Sequence, residues 1–152
     1  MQKIDKLKST LDEILSFMSI NPAVAIEEAD VNSYTIKIEG ENLNFLIGYR
    51  GESLESLQNL LNLIMYKQLN DWMRVVVDIN GYRTQKQEKI EQIAKGFIDR
   101  VRFLAKDVEM PPMSPSERRL VHVFLQEYDD VTSESIGIGQ NRRVVLKPKK
   151  KE

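Results

Sequence analysis

The stretch FLIGYRGESLESLQNLLNLI, residues 45–64, decides how the first half of the chain is organised. Its apolar residues follow helical spacing, yet Gly48 and Gly51 interrupt them with only Tyr49 and Arg50 between. A glycine costs roughly 1 kcal/mol relative to alanine inside a helix, so two this close predict a loop between two helices. Such a loop is either a bare turn or a place where the backbone approaches a ligand closely, because a residue without a β-carbon permits both.

The segments around this loop alternate between helical and strand patterns. Residues 4–18 carry apolar side chains at spacings of three and four, which predicts a helix of about four turns. Residues 23–30, 31–40 and 73–81 are rich in β-branched side chains and are predicted strands, with a turn expected between the first two at residues 30–32. The predicted order over residues 1–80 is therefore helix, strand, strand, helix, helix, strand. The side chains expected in its core include Tyr34, Ile36, Ile38, Leu54, Leu57, Leu61, Ile64, Met65, Val75, Val77 and Ile79.

A long amphipathic helix is predicted over residues 82–106, where it packs with either half of the chain or bridges both. Its apolar face comprises Ile90, Ile93, Ala94, Phe97, Ile98, Val101, Leu104 and Ala105. Ser114 then stands at an N-cap position, Pro115 at the first helical position, and Glu117 completes a Ser-x-x-Glu capping box. These signals predict another helix, whose buried side contains Leu120, Val121, Phe124 and Leu125.

Two short strands, residues 130–135 and 141–147, are predicted to form a hairpin after that helix. The sequence thus predicts an α+β fold of two small α/β modules. Their expected bounds are residues 1–80 for the first module, 81–106 for the connecting helix, 107–148 for the second module and 149–152 for a basic tail.

Composition narrows the class of protein. Of the 152 residues, 41% are hydrophobic and 30% charged, and no apolar run approaches the roughly 18 residues of a membrane span. The absence of cysteine excludes disulfides, thiolate metal sites and thiol nucleophiles. The N-terminus also lacks the pattern of a secretory signal, so the sequence predicts a cytoplasmic protein. No cofactor is expected.

Charge is distributed unevenly along the chain, although the net charge is only −1. Residues 1–80 carry 7 Lys and Arg against 12 Asp and Glu, whereas residues 81–152 carry 15 against 11. Six cations and one acid lie from Arg142 onward. This basic segment is either a solvated tail or a contact for a polyanion.

The Gly-x-x-Gly loop has the chemistry of an anion-binding site. Between two helices it presents backbone N–H groups at the start of the second helix, where unpaired donors and the positive end of the dipole favour a phosphate. Arg50 adds a full positive charge. The competing interpretation is a tight turn between helices that binds nothing.

Arg118 and His122 form a second candidate site. They are four residues apart and so lie on one face of the predicted helix, with Arg119 beside them. A cation and an imidazole on an exposed face together bind a phosphate or stack on a base. The competing interpretation is a polar helix face on which the histidine forms only local hydrogen bonds, because such a face has the same spacing.

The element order around the loop resembles that of a KH domain of type II topology. In that family the Gly-x-x-Gly loop clamps the backbone of about four single-stranded nucleotides. The resemblance implies a clamp and an adjoining groove. The clamp residues are Gly48, Tyr49, Arg50 and Gly51, and the groove residues are Ile47, Leu54 and Ile36.

Residues 114–148 resemble the small domain named for its Arg-xxx-His pair, which binds single-stranded nucleic acid in its characterised families. The resemblance implies that the helix and the last strand of this module form one basic surface. Its members are Arg118, Arg119, His122, Arg142, Arg143 and Lys147.

The two domains in this order resemble the bacterial Jag family, whose members are also called KhpB, EloR or SpoIIIJ-associated proteins. The resemblance implies a regulator that binds single-stranded RNA, or single-stranded DNA, and is connected with cell elongation and division. The implied partners are a separate small KH protein or a second copy, and indirectly a membrane insertase. Members of the family usually begin with a further N-terminal domain and a linker. The functions of that domain are not expected of the 152 residues of this chain. The segment SESIGIGQNRR, residues 133–143, is also more apolar than the family suggests.

Two other functions compete with RNA binding. The acidic first half favours a docking or dimerisation module in which nucleic-acid binding is incidental, since an acidic field opposes RNA. An acidic rim around Arg50 would support that alternative. An enzyme is not predicted, because the sequence has one histidine and no recognisable nucleophile or metal motif. The adjacent acids Asp129-Asp130 and Glu27-Glu28 point in different directions on regular structure.

Overall fold

A computed structural model describes residues 2–149, and the last three residues of the predicted basic tail lie outside this range. The chain divides into two compact units, one ending at Arg83 and the other beginning at Thr84. Helices and small sheets occur in both units, which confirms the predicted α+β class. Among the described residues, no helix is long and apolar enough to cross a membrane.

The first unit contains one three-stranded sheet and three helices in the predicted order. Its elements are α1 (Gln2–Phe17), β1 (Ala23–Asp30), β2 (Ser33–Glu39), α2 (Asn44–Ile47), α3 (Glu52–Leu69) and β3 (Arg74–Ile79). Strands β1 and β2 are antiparallel across a turn at residues 31–32, where Asn32 has φ 58°. Strand β3 joins β2 in parallel, so β3 forms an edge of the sheet.

One hydrophobic core lies in this unit, built from α1, α2, α3 and the inner faces of β2 and β3. The predicted alternation is confirmed, because Ile36, Ile38, Val77 and Ile79 are all 0% exposed. Ile64, which was also expected in the core, is only half-buried. Burying such side chains stabilises a fold by roughly 1.5–3 kcal/mol each. The core therefore fixes which residues of β2 and α3 are left for a ligand.

The second unit is built on helix α4 (Tyr82–Leu104), of which the first two residues belong to the first unit. The other elements are β4 (Val108–Glu109), α5 (Pro115–Leu125), β5 (Val131–Ile136) and β6 (Arg143–Pro148). Their sheet has the order β4-β6-β5, with both pairs antiparallel. The sequence did not predict β4, because two residues show no alternation and only their pairing with β6 makes them a strand.

The predicted capping box at the start of α5 is confirmed. The Ser114 hydroxyl accepts a hydrogen bond from the Glu117 backbone N–H at 3.3 Å, and a Glu117 carboxylate oxygen accepts one from the Ser114 N–H at 2.8 Å. Lys86 of α4 lies 3.6 Å from the same carboxylate. This buried glutamate therefore caps α5 and also pairs with α4.

The apolar face of α4 is narrower than predicted. Ala94, Ile98 and Val101 are at most 1% exposed, whereas Ile93 is 39% and Leu104 51% exposed. The helix also ends before its predicted boundary, because Ala105 adopts a left-handed φ of 51°. These three residues belong to the hydrophobic core of the second unit, with Ile90 and Phe97 partly buried against it, whereas Ile93 and Leu104 remain in solvent.

Candidate nucleic-acid interface

Both glycines of the loop between α2 and α3 are required by the local geometry. Gly48 has φ 71° and Gly51 has φ 85°, in the left-handed region that side chains disfavour. A β-carbon on Gly48 would lie 2.1 Å from the Ser53 hydroxyl oxygen, and one on Gly51 would lie 2.9 Å from the Tyr82 ring. The glycine pair in the sequence therefore reflects a tightly packed turn.

The turn leaves fewer amides for a phosphate than the sequence suggests. The Gly48 N–H donates to the Asn44 carbonyl at 2.9 Å, and the Gly51 N–H donates to the Gly48 carbonyl at 3.4 Å. The Arg50 guanidinium lies on the exposed side, 5.1 Å from the centre of the Tyr49 ring. Two amides of the loop are therefore bonded within the turn, and Arg50 supplies the positive charge that an anion would meet there.

Two of the three residues predicted to line a groove beside the loop do not face solvent. Ile36 is 0% and Leu54 is 2% exposed, and both belong to the core of the first unit. The prediction is wrong for these two residues, because Ile36 lies on the face of β2 that packs into the core and Leu54 lies on the inner side of α3. Ile47 is half-buried and packs against the same core.

An open groove instead follows the edge strand β3, between it and α3. Its volume is about 410 Å³. The lining residues are Gln58, Asn59, Asn62, Trp72, Arg74, Val75, Val76 and Arg83. We call this the β3 groove. Its lining includes two arginines and no carboxylate, so its charge suits an anionic polymer.

The outer edge of β3 is already hydrogen-bonded by side chains. Asn62 accepts from the Val75 N–H at 2.8 Å and donates to the Val75 carbonyl at 3.2 Å. Gln58 accepts from the Val77 N–H at 3.0 Å, while the Arg83 Nε donates to the Val77 carbonyl at 2.8 Å. A ligand in the β3 groove therefore meets side chains of α3 and α4 in place of these four backbone groups.

Trp72 adds an aromatic surface to the β3 groove. Its side chain is 65% exposed, and Tyr66 packs edge-to-face against it with ring centres 5.8 Å apart. An exposed ring held in this way can stack on a base. Sequence reasoning missed this residue, although a single tryptophan two residues before Arg74 was a visible signal.

His122 lies between two serine hydroxyls of β5. Its Nδ1 is 2.7 Å from the Ser133 oxygen, and its Nε2 is 2.7 Å from the Ser135 oxygen. Burial and the positive charge of Arg118 lower the pKa of His122 below its ordinary value. At neutral pH the ring is therefore mainly uncharged, and its two nitrogens link α5 to β5, as in the alternative of a histidine that bonds locally.

The three arginines near this histidine differ in their availability. Arg118 is half-buried and donates to the Met113 carbonyl at 2.8 Å. Arg119 and Arg142 are exposed, and neither side chain has a hydrogen bond or ion pair in the described part of the chain. Arg142 precedes β6, which corrects its predicted place on the last strand.

The basic surface predicted on β6 is partly neutralised. Lys147 lies 2.6 Å from a Glu134 oxygen and 3.9 Å from an Asp107 oxygen. Arg143 lies 3.4 Å from a Glu109 oxygen. Of the basic residues predicted for this surface, Arg119 and Arg142 are therefore the two whose charge is open to a ligand. We call these two residues the α5–β6 surface.

The chain is similar to a family of RNA-binding proteins, and its second unit matches a family of small domains. The family of Arg-xxx-His domains matches residues 88–148. The chain is 31% identical to the RNA-binding protein KhpB of Clostridium symbiosum over 147 residues, which cover 96% of this chain and 66% of that protein. It is 29% identical to KhpB of Bacillus subtilis, over 99% of this chain and 74% of the relative. For KhpB of Streptococcus pneumoniae, 31% identity covers 75% of this chain and 35% of the relative.

Proposed function

Because this chain belongs to the KhpB family, we propose that it is a regulatory protein that binds single-stranded RNA through one surface on each unit. The first surface comprises the turn at Arg50 and the β3 groove, and the second is the α5–β6 surface. The relatives are named RNA-binding proteins, and the match to the Arg-xxx-His domain family covers most of the second unit.

The β3 groove is the observation that carries this proposal. It combines the exposed cation of Arg74, the stacking ring of Trp72 and the polar side chains of α3 in one open channel. Backbone phosphates need cations, and unstacked bases need aromatic faces and hydrogen-bonding edges. All three are present along β3.

The lining of the β3 groove contains no acid, which leaves its two arginines open to an anionic ligand. Glu52, in the first turn of α3, lines a separate apolar groove. An acidic rim around Arg50 would favour protein docking over RNA.

Two weak surfaces on one chain gain affinity when one strand reaches both, because the second contact becomes intramolecular. Each phosphate that a cation neutralises releases counterions, so binding must weaken as salt is added. For a single strand, the slope of log K against log salt changes by about 0.7 for each phosphate that is no longer neutralised.

The test is fluorescence anisotropy with a labelled 12-nucleotide single-stranded RNA across a series of salt concentrations. The variants Arg74→Gln and Arg119→Gln each remove one exposed cation, from the first and second surface respectively. Lys67→Gln and Lys89→Gln are the matched controls, because both lysines are exposed and have no hydrogen bond or ion pair within residues 2–149.

We expect both arginine variants to weaken binding and to lower the salt slope, while the lysine controls leave both unchanged. Equal effects of arginine and lysine variants would show only nonspecific charge attraction and would overturn the proposal. Replacing Gly48 and Gly51 by aspartate is a poorer test, because a side chain there collides with Ser53 or Tyr82 and disturbs the fold.

A second candidate function, docking of a second copy of the chain, is favoured by the apolar groove of the first unit. Its volume is about 510 Å³. The lining residues are Ile14, Met18, Phe45, Leu46, Glu52, Ser53, Ser56, Leu57 and Leu60. Phe45 is 54% and Leu60 46% exposed, so two large apolar side chains of this groove are open to a partner. Sedimentation equilibrium of the parent chain and of Leu60→Glu tests this: a monomeric parent would exclude self-docking, and a dimer that is absent in the variant would support it.

The finer elements of the proposal come from the family. They are a role in cell elongation and division, a cytoplasmic location, association with a small KH protein, and an indirect link to a membrane insertase. Co-purification from cells, with and without nuclease treatment, separates partners that bind the protein from those that share an RNA.

A further inference from the structure

The orientation of the Gln58 amide is set by its neighbours. Its Oε1 accepts from the Val77 backbone N–H at 3.0 Å and from the Arg83 Nη2 at 2.7 Å. Both partners can only donate, so the oxygen must face them and the nitrogen must face away. The Gln58 Nε2 has no partner among the described residues and is not buried. It therefore offers two N–H donors to the β3 groove.

The other amide of α3 in this groove has no donor left to offer. The Asn62 Nδ2 donates to the Val75 carbonyl at 3.2 Å and to the Gln58 carbonyl at 2.9 Å. Its oxygen faces the Val75 N–H at 2.8 Å. Asn62 thus ties α3 to β3. Of the two α3 amides that bond to β3, only Gln58 keeps N–H donors for a base.

The remaining polar groups of the β3 groove are also donors. In Arg83, the Nε and one Nη2 hydrogen bind Val77 and Gln58, which leaves the Nη1 hydrogens and the second Nη2 hydrogen. The Arg74 guanidinium and the Trp72 indole N–H have no hydrogen bond in the described part of the chain. Of the lining amides, only Asn59 is exposed and unconstrained, so it can present either end.

We propose that the β3 groove selects keto bases, guanine and uracil, over the amino bases adenine and cytosine. This inference rests on the proposed function and names the bases that the same site prefers. The O6 and N7 of guanine and the O4 of uracil accept from Gln58 and Arg83. Adenine and cytosine carry an amino group at that position, which would place a donor against the N–H donors of Gln58 and Arg83. Neither donor would then have a hydrogen-bond acceptor.

The test compares oligonucleotides that differ only in this chemistry. Anisotropy is measured with U8 against C8, and with UUIUUIUU against UUAUUAUU, where inosine carries the keto group and adenosine the amino group. We expect each keto sequence to bind about tenfold more tightly than its amino counterpart, as for one well-placed base contact.

The variant Gln58→Glu isolates the proposed readout. One carboxylate oxygen keeps the bonds to Val77 and Arg83, while the other replaces the two N–H donors with an acceptor. The keto preference should then disappear or reverse. Gln68→Glu, which adds the same charge at an exposed position of α3 outside the lining of the β3 groove, is the control and should leave the preference unchanged. Unfolding curves confirm that both variants fold.

The outcomes separate this inference from the proposed function. If none of the sequences binds, the proposed function fails and the inference with it. If all four bind with equal affinity, the function stands and the inference is overturned. A keto preference that survives in Gln58→Glu would also overturn it, because the preference would then arise elsewhere on the chain.

Discussion

The side chain of Asn62 forms two hydrogen bonds with the backbone of Val75, at 2.8 Å to its N–H and 3.2 Å to its carbonyl. This pair ties α3 to the edge strand and so sets one wall of the β3 groove. It also bonds polar groups of β3 that another strand could otherwise pair with. The structural role of Asn62 can be measured separately from RNA binding.

Asn62→Asp should destabilise the first unit by about 1–3 kcal/mol. The aspartate could still accept from Val75, but its second oxygen would face the carbonyls of Val75 and Gln58, to which the amide donates. Urea unfolding measures the loss. Asn59→Asp, on the exposed side of the same helix, should change the free energy of unfolding by no more than about 0.5 kcal/mol. Equal effects at both positions would contradict the role assigned to Asn62.

Alanine at two glycines should have opposite effects on stability. At Gly48, φ is 71° and a β-carbon would meet the Ser53 oxygen at 2.1 Å, so Gly48→Ala should cost at least about 1 kcal/mol. Gly96 lies within α4 with nothing within 4 Å of an added β-carbon, so Gly96→Ala should stabilise by about 0.5–1 kcal/mol. Urea midpoints of the two variants check the signs, and a neutral Gly48→Ala would show that the turn can relax.

Removing an acid from β5 should strengthen RNA binding. The Lys147 ammonium lies 2.6 Å from Glu134, and this ion pair lowers the pKa of the Glu134 carboxyl. In Glu134→Gln one nearby acid is removed, and Lys147 can contact a phosphate more readily. We expect a few-fold higher affinity and a salt slope larger by about 0.7. Glu127→Gln, which removes an exposed acid from the turn after α5, should change neither quantity, and an equal gain there would indicate only a change in net charge.

The stability of the second unit should fall as the solution is acidified below neutrality. His122 is the chain's one histidine, and its folded pKa lies below the ordinary 6.5. The unfolded chain therefore binds the proton more readily, so this contribution is present above pH 6.5 and is lost as the pH falls through the lowered pKa. The carboxyl groups with lowered pKa values, such as those of Asp130 and Glu134, titrate at more acidic pH.

Urea unfolding at pH 7.5 and at pH 5.5 measures this dependence. His122→Gln keeps an amide between Ser133 and Ser135 but does not titrate, so the difference between the two pH values should shrink. If parent and variant lose the same stability between these pH values, His122 is not the titrating group.

Local patterns were sufficient to predict much of the fold. The alternation along β2 and β3 identified their buried faces, and the spacing around Ser114 and Glu117 identified the start of α5, because each signal is contained within a few neighbouring residues. The glycine pair likewise marked the turn between α2 and α3. The amphipathic pattern of α4 was less informative, since periodicity does not tell how wide a stripe the core covers.

The binding surfaces depended on which elements become neighbours in space. Ile36 is buried because helices pack on its face of β2, and Lys147 is neutralised because β5 places Glu134 beside it. The β3 groove joins residues from α3, from the loop before β3 and from the start of α4. Periodicity is a property of adjacent residues, whereas edge-strand exposure, charge pairing and amide orientation arise only when distant segments pack together. The sequence alone thus predicted most helices and strands and the inner faces of β2 and β3, whereas packing created β4 and decided which donors face a ligand.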